Sequence, residues 1–293
     1  MYVSHFTAMG GGHSTEPEPE PVLLPVPWRT LPENNLDNLE FVKSYKPHNK
    51  EGTQLRILLH GPNHAGKSSF INSVESVLQG RVTDRAATDA ISGMSFTKNY
   101  KTHKIQKDPE QYYSFVFNDV MGLEDNTDCG VCEEDLNLAL RGHVKEYYKF
   151  NPHSHLTEND QEYNSSPTLA DKVHILVSVV SADSLTLLKK DVVRKMRNIR
   201  LAASEMGIPQ LAIITKVDEA CPEAAKNMNN IYKSKLLKEK VDKLHNLLGL
   251  SRNRIFLVKN YNSELETNDA IDAPILLALK QMLHSGEDFL NNL

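Results

Sequence analysis

From about residue 51 onward, short apolar runs alternate with segments in which apolar residues recur every three or four positions. The runs indicate strands and the regularly spaced stripes indicate amphipathic helices. The predicted strands are 55–60, 111–120, 173–180, 211–214 and 254–258, and the predicted helices are 68–78, 188–199, 237–248 and 275–283. This alternation predicts an α/β fold in three layers, with a mostly parallel central sheet flanked by helices.

The first 33 residues lack this patterning. They hold six of the fourteen prolines, and glutamate alternates with proline from Glu16 to Pro21. Proline removes backbone donors and the glutamates repel one another, so residues 1–33 are predicted to be a disordered leader. Residues 34–52 are predicted to form a short N-terminal helix and a linker, which leaves 53–293 as one large domain.

The composition excludes some classes of function. Lys and Arg number 33 against 38 Asp and Glu, a net charge of −5, whereas a dedicated nucleic-acid binder carries a strong basic excess. No DNA partner is therefore expected. The apolar stretches fall far short of the ~20 residues that span a bilayer, and no secretory signal is visible. With only three cysteines as well, the chain is predicted to be cytoplasmic, without a transmembrane segment.

The strongest chemical signal follows the first predicted strand. Residues 61–68 read Gly-Pro-Asn-His-Ala-Gly-Lys-Ser and match the phosphate-loop pattern G-x-x-x-x-G-K-[ST] completely. Backbone N–H groups of such a loop and of the helix after it face phosphates, while the lysine reaches the β- and γ-phosphates. The predicted phosphate-binding residues are Gly61, Asn63, His64, Ala65, Gly66, Lys67, Ser68 and Ser69. The motif narrows the predicted fold to the P-loop NTPase type.

A second motif lies at the end of the strand 111–120. Asp119 and Gly122 form a D-x-x-G pattern, and both residues are predicted to sense the γ-phosphate. Mg²⁺ is predicted to bind the Ser68 hydroxyl and Asp119, together with a threonine that lies between helix and strand. The candidates for that threonine are Thr97, which we take first, Thr83 and Thr88.

A third motif follows the strand 211–214. Thr215-Lys216-Val217-Asp218 resembles N-K-x-D, the guanine-specificity motif of translation-factor-like GTPases. The Asp218 carboxylate is predicted to accept from guanine N1–H and N2–H, donors that adenine lacks, with the Lys216 stem on the purine face. Thr215 replaces the asparagine that normally ties this segment to the phosphate loop, so a lower nucleotide affinity is expected. Asn260 is a further predicted guanine contact, and GTP or GDP with Mg²⁺ is the expected ligand.

Scattered segments resemble the interferon-induced protein 44 family. They are 56–59 and 66–74 around the phosphate loop, Pro27-Trp28-Arg29, Ser44-Tyr45-Lys46-Pro47, Phe150-Asn151-Pro152 and Asn260-Tyr261. The resemblance covers about residues 27 to 290. It implies a G-domain-like, GTP-binding protein that acts in the cytoplasm in the innate immune and antiviral response.

Other positions depart from those of an active GTPase. Small GTPases place a glutamine after the D-x-x-G glycine to orient the attacking water, but Leu123 stands there in this chain. A weak GTPase that acts as a slow nucleotide-dependent switch is one interpretation. A nucleotide-stabilised interaction scaffold with negligible hydrolysis is the second, and an ATPase is the third. One hypothesis gives His64 a catalytic contact with the γ-phosphate, and the alternative leaves it as a solvated loop histidine.

The segment 124–169, between D-x-x-G and the next strand, is longer than small GTPases need. It is predicted to hold one helix, followed by a long polar loop. Long loops in compact domains are often functional, so this insert is the expected surface for a protein partner of unknown identity, with a nucleotide-dependent homodimer as one form. Cys129 and Cys132 form a C-x-x-C without a second pair, which favours reduced thiols over a zinc or redox site.

Overall fold

A six-stranded sheet forms the centre of the molecule, which a computed structural model describes for residues 22–31, 35–49, 54–86, 98–125 and 130–293. In chain order the strands are β1 (Leu55–His60), β2 (Lys101–Asp108), β3 (Gln111–Asp119), β4 (Ile175–Ser181), β5 (Gln210–Thr215) and β6 (Ile255–Leu257). Their order in the sheet is β2-β3-β1-β4-β5-β6. All neighbours pair in parallel except β2 and β3, which are antiparallel.

Helices cover both faces of the sheet. They are α1 (Leu36–Ser44), α2 (Lys67–Gln79), α3 (Glu133–Leu140), α4 (Lys190–Glu205), α5 (Val217–Ala220), α6 (Pro222–Lys226), α7 (Lys235–Leu248) and α8 (Asp269–Asn291). Single 3₁₀ turns occur at Leu169–Asp171, Ser184–Thr186, Met228–Asn230 and Arg252–Arg254. α1, α2 and α8 pack together, and α3, α4 and α7 form a second group. The predicted three-layer α/β fold with a mostly parallel sheet is confirmed.

The strand register brings the sequence motifs to one edge of the sheet. Leu59 of β1 pairs with Asp119 of β3, and Ser181 of β4 pairs with Thr215 of β5. In parallel strands the carboxyl ends lie at the same edge, where ligands bind in open α/β sheets. The segments that follow β1, β3 and β5 therefore meet there.

The patterning did not predict β2. This strand reads Lys-Thr-His-Lys-Ile-Gln-Lys-Asp and buries only Ile105 completely, because it lies at the edge of the sheet. Exposed lysines on an edge strand discourage pairing with another chain. Asp119 consequently lies two strands after the phosphate loop along the chain, and not one as the sequence indicated, although β1 and β3 are neighbours in space.

Residues 22–31 contradict part of the predicted disordered leader. The Leu24 and Trp28 amides donate to the Lys233 and Tyr232 carbonyls at 2.8 and 2.9 Å. The Trp28 ring packs edge-on against Tyr232, with the centroids 4.9 Å apart. The Arg29 guanidinium donates to the Ile255 carbonyl at 2.6 Å and lies within 5.4 Å of three aromatic ring centroids. This N-terminal clasp, residues 22–31, is thus packed on the domain; residues 1–21 lie outside the described part of the chain.

The insert folds back against the sheet. After α3, residues 141–168 form no helix or strand longer than a single bridge, as the predicted long loop requires. Residues 147–150 run beside residues 98–100: the Tyr147 amide donates to the Tyr100 carbonyl at 2.9 Å, and the Phe150 amide donates to the Lys98 carbonyl at 3.0 Å. Buried Asp135 of α3 accepts from the Leu156 amide at 2.7 Å. The insert therefore holds the chain just before β2.

Within the described ranges, no helix combines the length and the apolar character that crossing a bilayer requires.

Candidate functional site

The phosphate loop joins β1 to α2, and its backbone requires glycine at two positions. Gly61 has φ +151°, and a Cβ there would lie 2.0 Å from the Val179 carbonyl oxygen. Gly66 has φ +84°, and its Cβ would lie 2.9 Å from Asn260 Nδ2. Between them His64 adopts φ 57°, and its side chain is exposed. The two glycines permit the close packing that shapes the loop.

Lys67 begins α2 and is 7% exposed. Its ammonium donates to the Gly61 and Pro62 carbonyls at 3.3 and 3.1 Å, so it lies inside the curve of the loop. Burial lowers the pKa of Lys67, and the nearby Asp119 carboxylate opposes that change. An anion bound in the loop would stabilise the charged ammonium of Lys67. The free N–H groups at the N-terminus of α2 would attract the same anion.

Ser68 and Asp119 provide hard oxygen donors beside Lys67. The Ser68 hydroxyl donates to Asp119 Oδ2, which brings together the two side chains predicted to bind Mg²⁺. The described residues contain no group of three His, Cys, Asp or Glu side chains that could hold a metal ion. A hydroxyl and a carboxylate next to a phosphate loop fit Mg²⁺, which takes few protein ligands and completes its shell with phosphate oxygens and water.

Of the three threonine candidates for the Mg²⁺ shell, the described residues include Thr83 alone. Thr97 and Thr88 lie outside the described residues. Thr83 is described, and its hydroxyl lies 3.3 Å from the Asn72 carbonyl and 3.4 Å from Ser76 Oγ. Those partners are one and two turns further along α2 than Ser68, so the described position of Thr83 belongs to the packing of α2.

The D-x-x-G segment lies directly against the phosphate loop. A Cβ at Gly122 would approach Asn63 Cα to 2.6 Å, and the Leu123 amide donates to the Gly61 carbonyl at 2.9 Å. Asn63 Nδ2 donates to Glu124 Oε1 at 3.1 Å. The Leu123 side chain is 1% exposed and belongs to the hydrophobic core. It therefore supplies no polar atom at the position that a glutamine occupies in small GTPases.

Thr215 itself makes a contact that ties its segment to the phosphate loop. Its hydroxyl donates to the Ala65 carbonyl at 2.6 Å, so the tie between this segment and the phosphate loop is present. Asn260, which follows β6, adds a second tie because its Nδ2 donates to the Gly66 carbonyl at 3.1 Å. Thr215 of β5 and Asn260 after β6 thus bind the consecutive carbonyls of Ala65 and Gly66. In the N-K-x-D motif one asparagine makes the tie to the phosphate loop. Asn260 Oδ1 is buried and has no hydrogen-bond partner among the described residues, which leaves an acceptor for a ligand.

The remaining residues of the third motif lie on a short turn of helix. Lys216 has φ 54° and forms an ion pair with Glu219 at 3.5 Å. Asp218 is the second residue of α5 and is partly exposed, with Lys259 Nζ 3.3 Å from its Oδ2. The Ser69 carbonyl accepts from the Ser73 hydroxyl, which in turn accepts from the Tyr261 amide at 2.9 Å. α2 therefore connects the phosphate loop with the segment after β6.

His60 is a supporting residue that the sequence motifs did not identify. It ends β1 directly before the loop, is fully buried, and lies 2.8 Å from Ser178 Oγ through its Nε2. Burial, followed by the charges of Lys67 and Arg200, lowers the pKa of His60 to about 3, so the imidazole is neutral at physiological pH. A polar residue at the end of an apolar run was the available signal.

Of the C-x-x-C pair, Cys132 lies in the described part of the chain, and its surroundings do not favour a metal or redox role. Cys129 lies outside the described residues, and the Cys132 thiol lies 3.4 Å from the carbonyls of Asn151 and Pro152. Burial raises the pKa of Cys132, and the nearby carboxylates of Asp135 and Glu134 raise it further. A thiol with a raised pKa is a weak nucleophile and metal ligand.

The sequence is similar to those of several known proteins. No family model matches the sequence. Human interferon-induced protein 44 is 32% identical over 256 residues, which cover 87% of this chain and 57% of that protein. Human interferon-induced protein 44-like is 33% identical over 254 residues, covering 86% and 56%. Mouse interferon-induced protein 44 is 33% identical over 256 residues, covering 87% and 60%.

Over this region the chain is similar to proteins of the interferon-induced protein 44 family. The chain spans a little over half the length of these curated relatives. Among solved structures, a probable GTP-binding protein engB superposes with a TM-score of 0.41 and 11% sequence identity, covering 81% of this chain and 99% of that one.

Proposed function

We propose that this chain belongs to the interferon-induced protein 44 family and binds a guanine nucleotide, GTP or GDP, together with Mg²⁺. The observation that carries the proposal is the convergence of three motifs at one edge of the sheet. Buried Lys67 and the Ser68–Asp119 pair lie at the phosphate end. Thr215 and Asn260 fix the base end to the same loop.

Selectivity for guanine rests on Asp218. A carboxylate accepts hydrogen bonds and donates none, so it pairs with N1–H and N2–H of guanine but with no corresponding donors of adenine. A site that pairs a buried polar group with its ligand discriminates strongly against an analogue that leaves that group unpaired. Binding of ATP with the affinity of GTP would contradict this part of the proposal and favour an ATPase.

Hydrolysis is proposed to be slow. Buried Leu123 cannot orient water, and its backbone is held by Gly61. This observation favours the second candidate function, in which the nucleotide stabilises an interaction scaffold and is hardly turned over. The first candidate, a slow switch, depends on another group near the γ-phosphate. Exposed His64 in the loop is our candidate for that catalytic role.

The cellular role and partners are proposals of a coarser kind. The relatives' names point to induction by interferon, so we place this chain in the innate immune and antiviral response of the cytoplasm. Its protein partner, or a second copy in a nucleotide-dependent homodimer, is expected at the insert. Tyr147 supports this location: it is 68% exposed and adopts φ 69°, a conformation that few residues other than glycine adopt.

The test is a set of nucleotide titrations. Fluorescent GDP, GTP and ADP are titrated with Mg²⁺ and with EDTA into wild type, Ser68→Ala and Asp218→Ala, and turnover is measured at several protein concentrations. We expect preference for GDP and GTP over ADP, about tenfold weaker binding for Ser68→Ala that depends on Mg²⁺, and loss of base preference for Asp218→Ala. Wild-type protein that binds no nucleotide at millimolar concentrations would overturn the proposal.

A further inference from the structure

A cluster of three charged side chains lies at the base end of the candidate site, and Lys259 is its centre. Lys259 Nζ is 3.3 Å from Asp218 Oδ2 and 2.7 Å from Glu264 Oε1. The three side chains are exposed to nearly the same small extent, 21%, 22% and 21% for Lys259, Asp218 and Glu264. Partial burial strengthens attraction between charges relative to attraction at a fully solvated surface.

Glu264 is itself fixed by the backbone. Its Oε2 accepts from the amides of Asn262 and Ser263 at 3.0 and 3.2 Å, so the carboxylate is tied to the turn that follows Asn260. Partial burial raises the pKa of Glu264, but the Asn262 amide and the Lys259 ammonium outweigh burial and lower it to about 2. Burial lowers the pKa of Lys259, but the carboxylates of Glu264 and Asp218 outweigh burial and raise the pKa. Lys259 and Glu264 are therefore both charged at neutral pH.

The cluster connects two separate segments of the chain. Asp218 lies on α5 after β5, whereas Lys259 and Glu264 lie in the loop between β6 and α8. The same loop is attached to the phosphate loop through Asn260 and to α2 through Tyr261. Lys259 thus links the Asp218 carboxylate to a loop that is already attached at two points, Asn260 and Tyr261.

We infer that Lys259 is a positioning residue for base recognition: held by Glu264, it holds the Asp218 carboxylate in the orientation that accepts both guanine donors. This inference rests on the proposed guanine nucleotide site. Without Lys259 the Asp218 side chain can rotate, and it must be ordered again when the base binds, which reduces affinity. Glu264 acts one step further away, so its removal has a smaller effect in the same direction.

The test uses inosine diphosphate, whose base lacks the 2-amino group of guanine. If Lys259 orients Asp218 towards both donors, Lys259→Met should weaken GDP binding about tenfold, equal to 1.4 kcal/mol, while IDP binding changes about threefold. The GDP-over-IDP preference therefore falls, a change that a general loss of stability would not produce. Glu264→Gln should lower the same preference by a smaller factor.

Two controls make the result specific. Lys226→Met removes another lysine from a carboxylate partner, Glu223 at 3.1 Å, on the neighbouring helix α6, and should leave both affinities unchanged. In an Asp218→Asn background, Lys259→Met should cause no further loss of the GDP-over-IDP preference, because residues that act as a unit are not additive. Melting curves without nucleotide verify that each variant is folded; Lys259→Gln replaces the methionine variant if it is not.

The outcomes separate this inference from the proposed function. Wild-type protein that binds ADP as well as GDP would overturn the guanine site itself, and the inference with it. Wild-type protein that prefers GDP, together with a Lys259→Met variant whose GDP-over-IDP preference is unchanged, would overturn the inference alone. A preference that falls in Lys259→Met and Glu264→Gln but not in Lys226→Met supports it.

Discussion

The two sides of the candidate site differ in what their side chains do. On the binding side, Lys67, Ser68, Thr215 and Asn260 all make polar contacts with the phosphate loop or with Asp119. On the other side, after β3, the Leu123 side chain is apolar and buried in the core. The comparison teaches that retaining a nucleotide and orienting water for its hydrolysis are separable tasks, even though both segments lie against one loop.

The backbone explains how the two sides coexist. The Leu123 amide and the Gly61 carbonyl form a 2.9 Å hydrogen bond, so the D-x-x-G segment is attached to the phosphate loop whatever side chain follows Gly122. A leucine at this position then contributes apolar burial instead of polar chemistry. The D-x-x-G segment therefore supports the phosphate loop structurally.

The largest effect is expected on the binding side. Lys67→Ala removes the only side chain of the loop that carries a fixed positive charge, so GTP and GDP affinity should fall about 100-fold, as expected for a lost charged hydrogen bond. Without nucleotide the variant should melt no lower than wild type, because burial already disfavours the Lys67 charge. Lys104→Ala on the exposed side of β2 is the matched control. Unaltered affinity in Lys67→Ala would remove the phosphate loop from the site.

The next effect breaks the comparison from the other side. Leu123→Gln restores the residue type of an active GTPase, but it places an amide in the core and should destabilise the fold by about 2–4 kcal/mol. We expect no gain in GTP turnover. Urea denaturation and phosphate release measure the two quantities. A stable variant with faster turnover would show that the segment after β3 is poised for hydrolysis after all.

Thr215→Val tests the tie between Thr215 and the phosphate loop. Loss of the hydrogen bond to the Ala65 carbonyl should weaken GDP binding about fivefold, close to 1 kcal/mol, because Asn260 keeps the second tie. The double variant with Asn260→Ala should lose more than the sum of the two single changes. Strictly additive losses would indicate that the two ties act independently.

A smaller effect concerns acid stability at the base end. The Glu264 pKa in the folded chain is about 2, below the unfolded value of about 4.3, so its contribution is present above the unfolded value and is lost as pH falls towards 2. Wild type should therefore be more stable than Glu264→Gln at pH 6, and the difference should disappear between about pH 5 and 2. Urea denaturation across this range measures it; a constant difference would contradict the assignment.

The smallest effect is expected for His64→Ala. The exposed side chain makes no hydrogen bond that the structure records, so GTP affinity should change less than about twofold. If His64 contacts the γ-phosphate, single-turnover hydrolysis should slow while affinity is maintained. Equal rates for wild type and His64→Ala would leave the loop without a catalytic side chain and favour the scaffold.

Much of the fold could be predicted because burial leaves a pattern. β1 and β4 are buried along almost their whole length and read as apolar runs. β2 could not be predicted, since an edge strand with one buried residue resembles a polar loop. Residues 22–31 were misread because proline and glutamate composition reports local preference, whereas Trp28 and Arg29 are fixed by residues 203 to 226 positions away.

The candidate site divides along the same line. Lys67 and Ser68 belong to a motif with fixed spacing, so one local segment identifies them. The tie made by Asn260 and the cluster around Lys259 depend on where the loop after β6 lies relative to α5 and the phosphate loop. That arrangement exists only once the strands are paired, so no spacing in the sequence reports it.

The N-terminal clasp has a practical consequence for how this domain is produced in fragments. A polypeptide started at residue 53, the domain boundary that the sequence indicates, would leave the aromatic faces of Tyr232 and Phe256 uncovered and the Ile255 carbonyl without its Arg29 donor. Such a fragment would expose apolar surface that promotes aggregation during purification and crystallisation. Expression boundaries, affinity tags and protease sites are better placed before Val22, where the clasp remains part of the folded product.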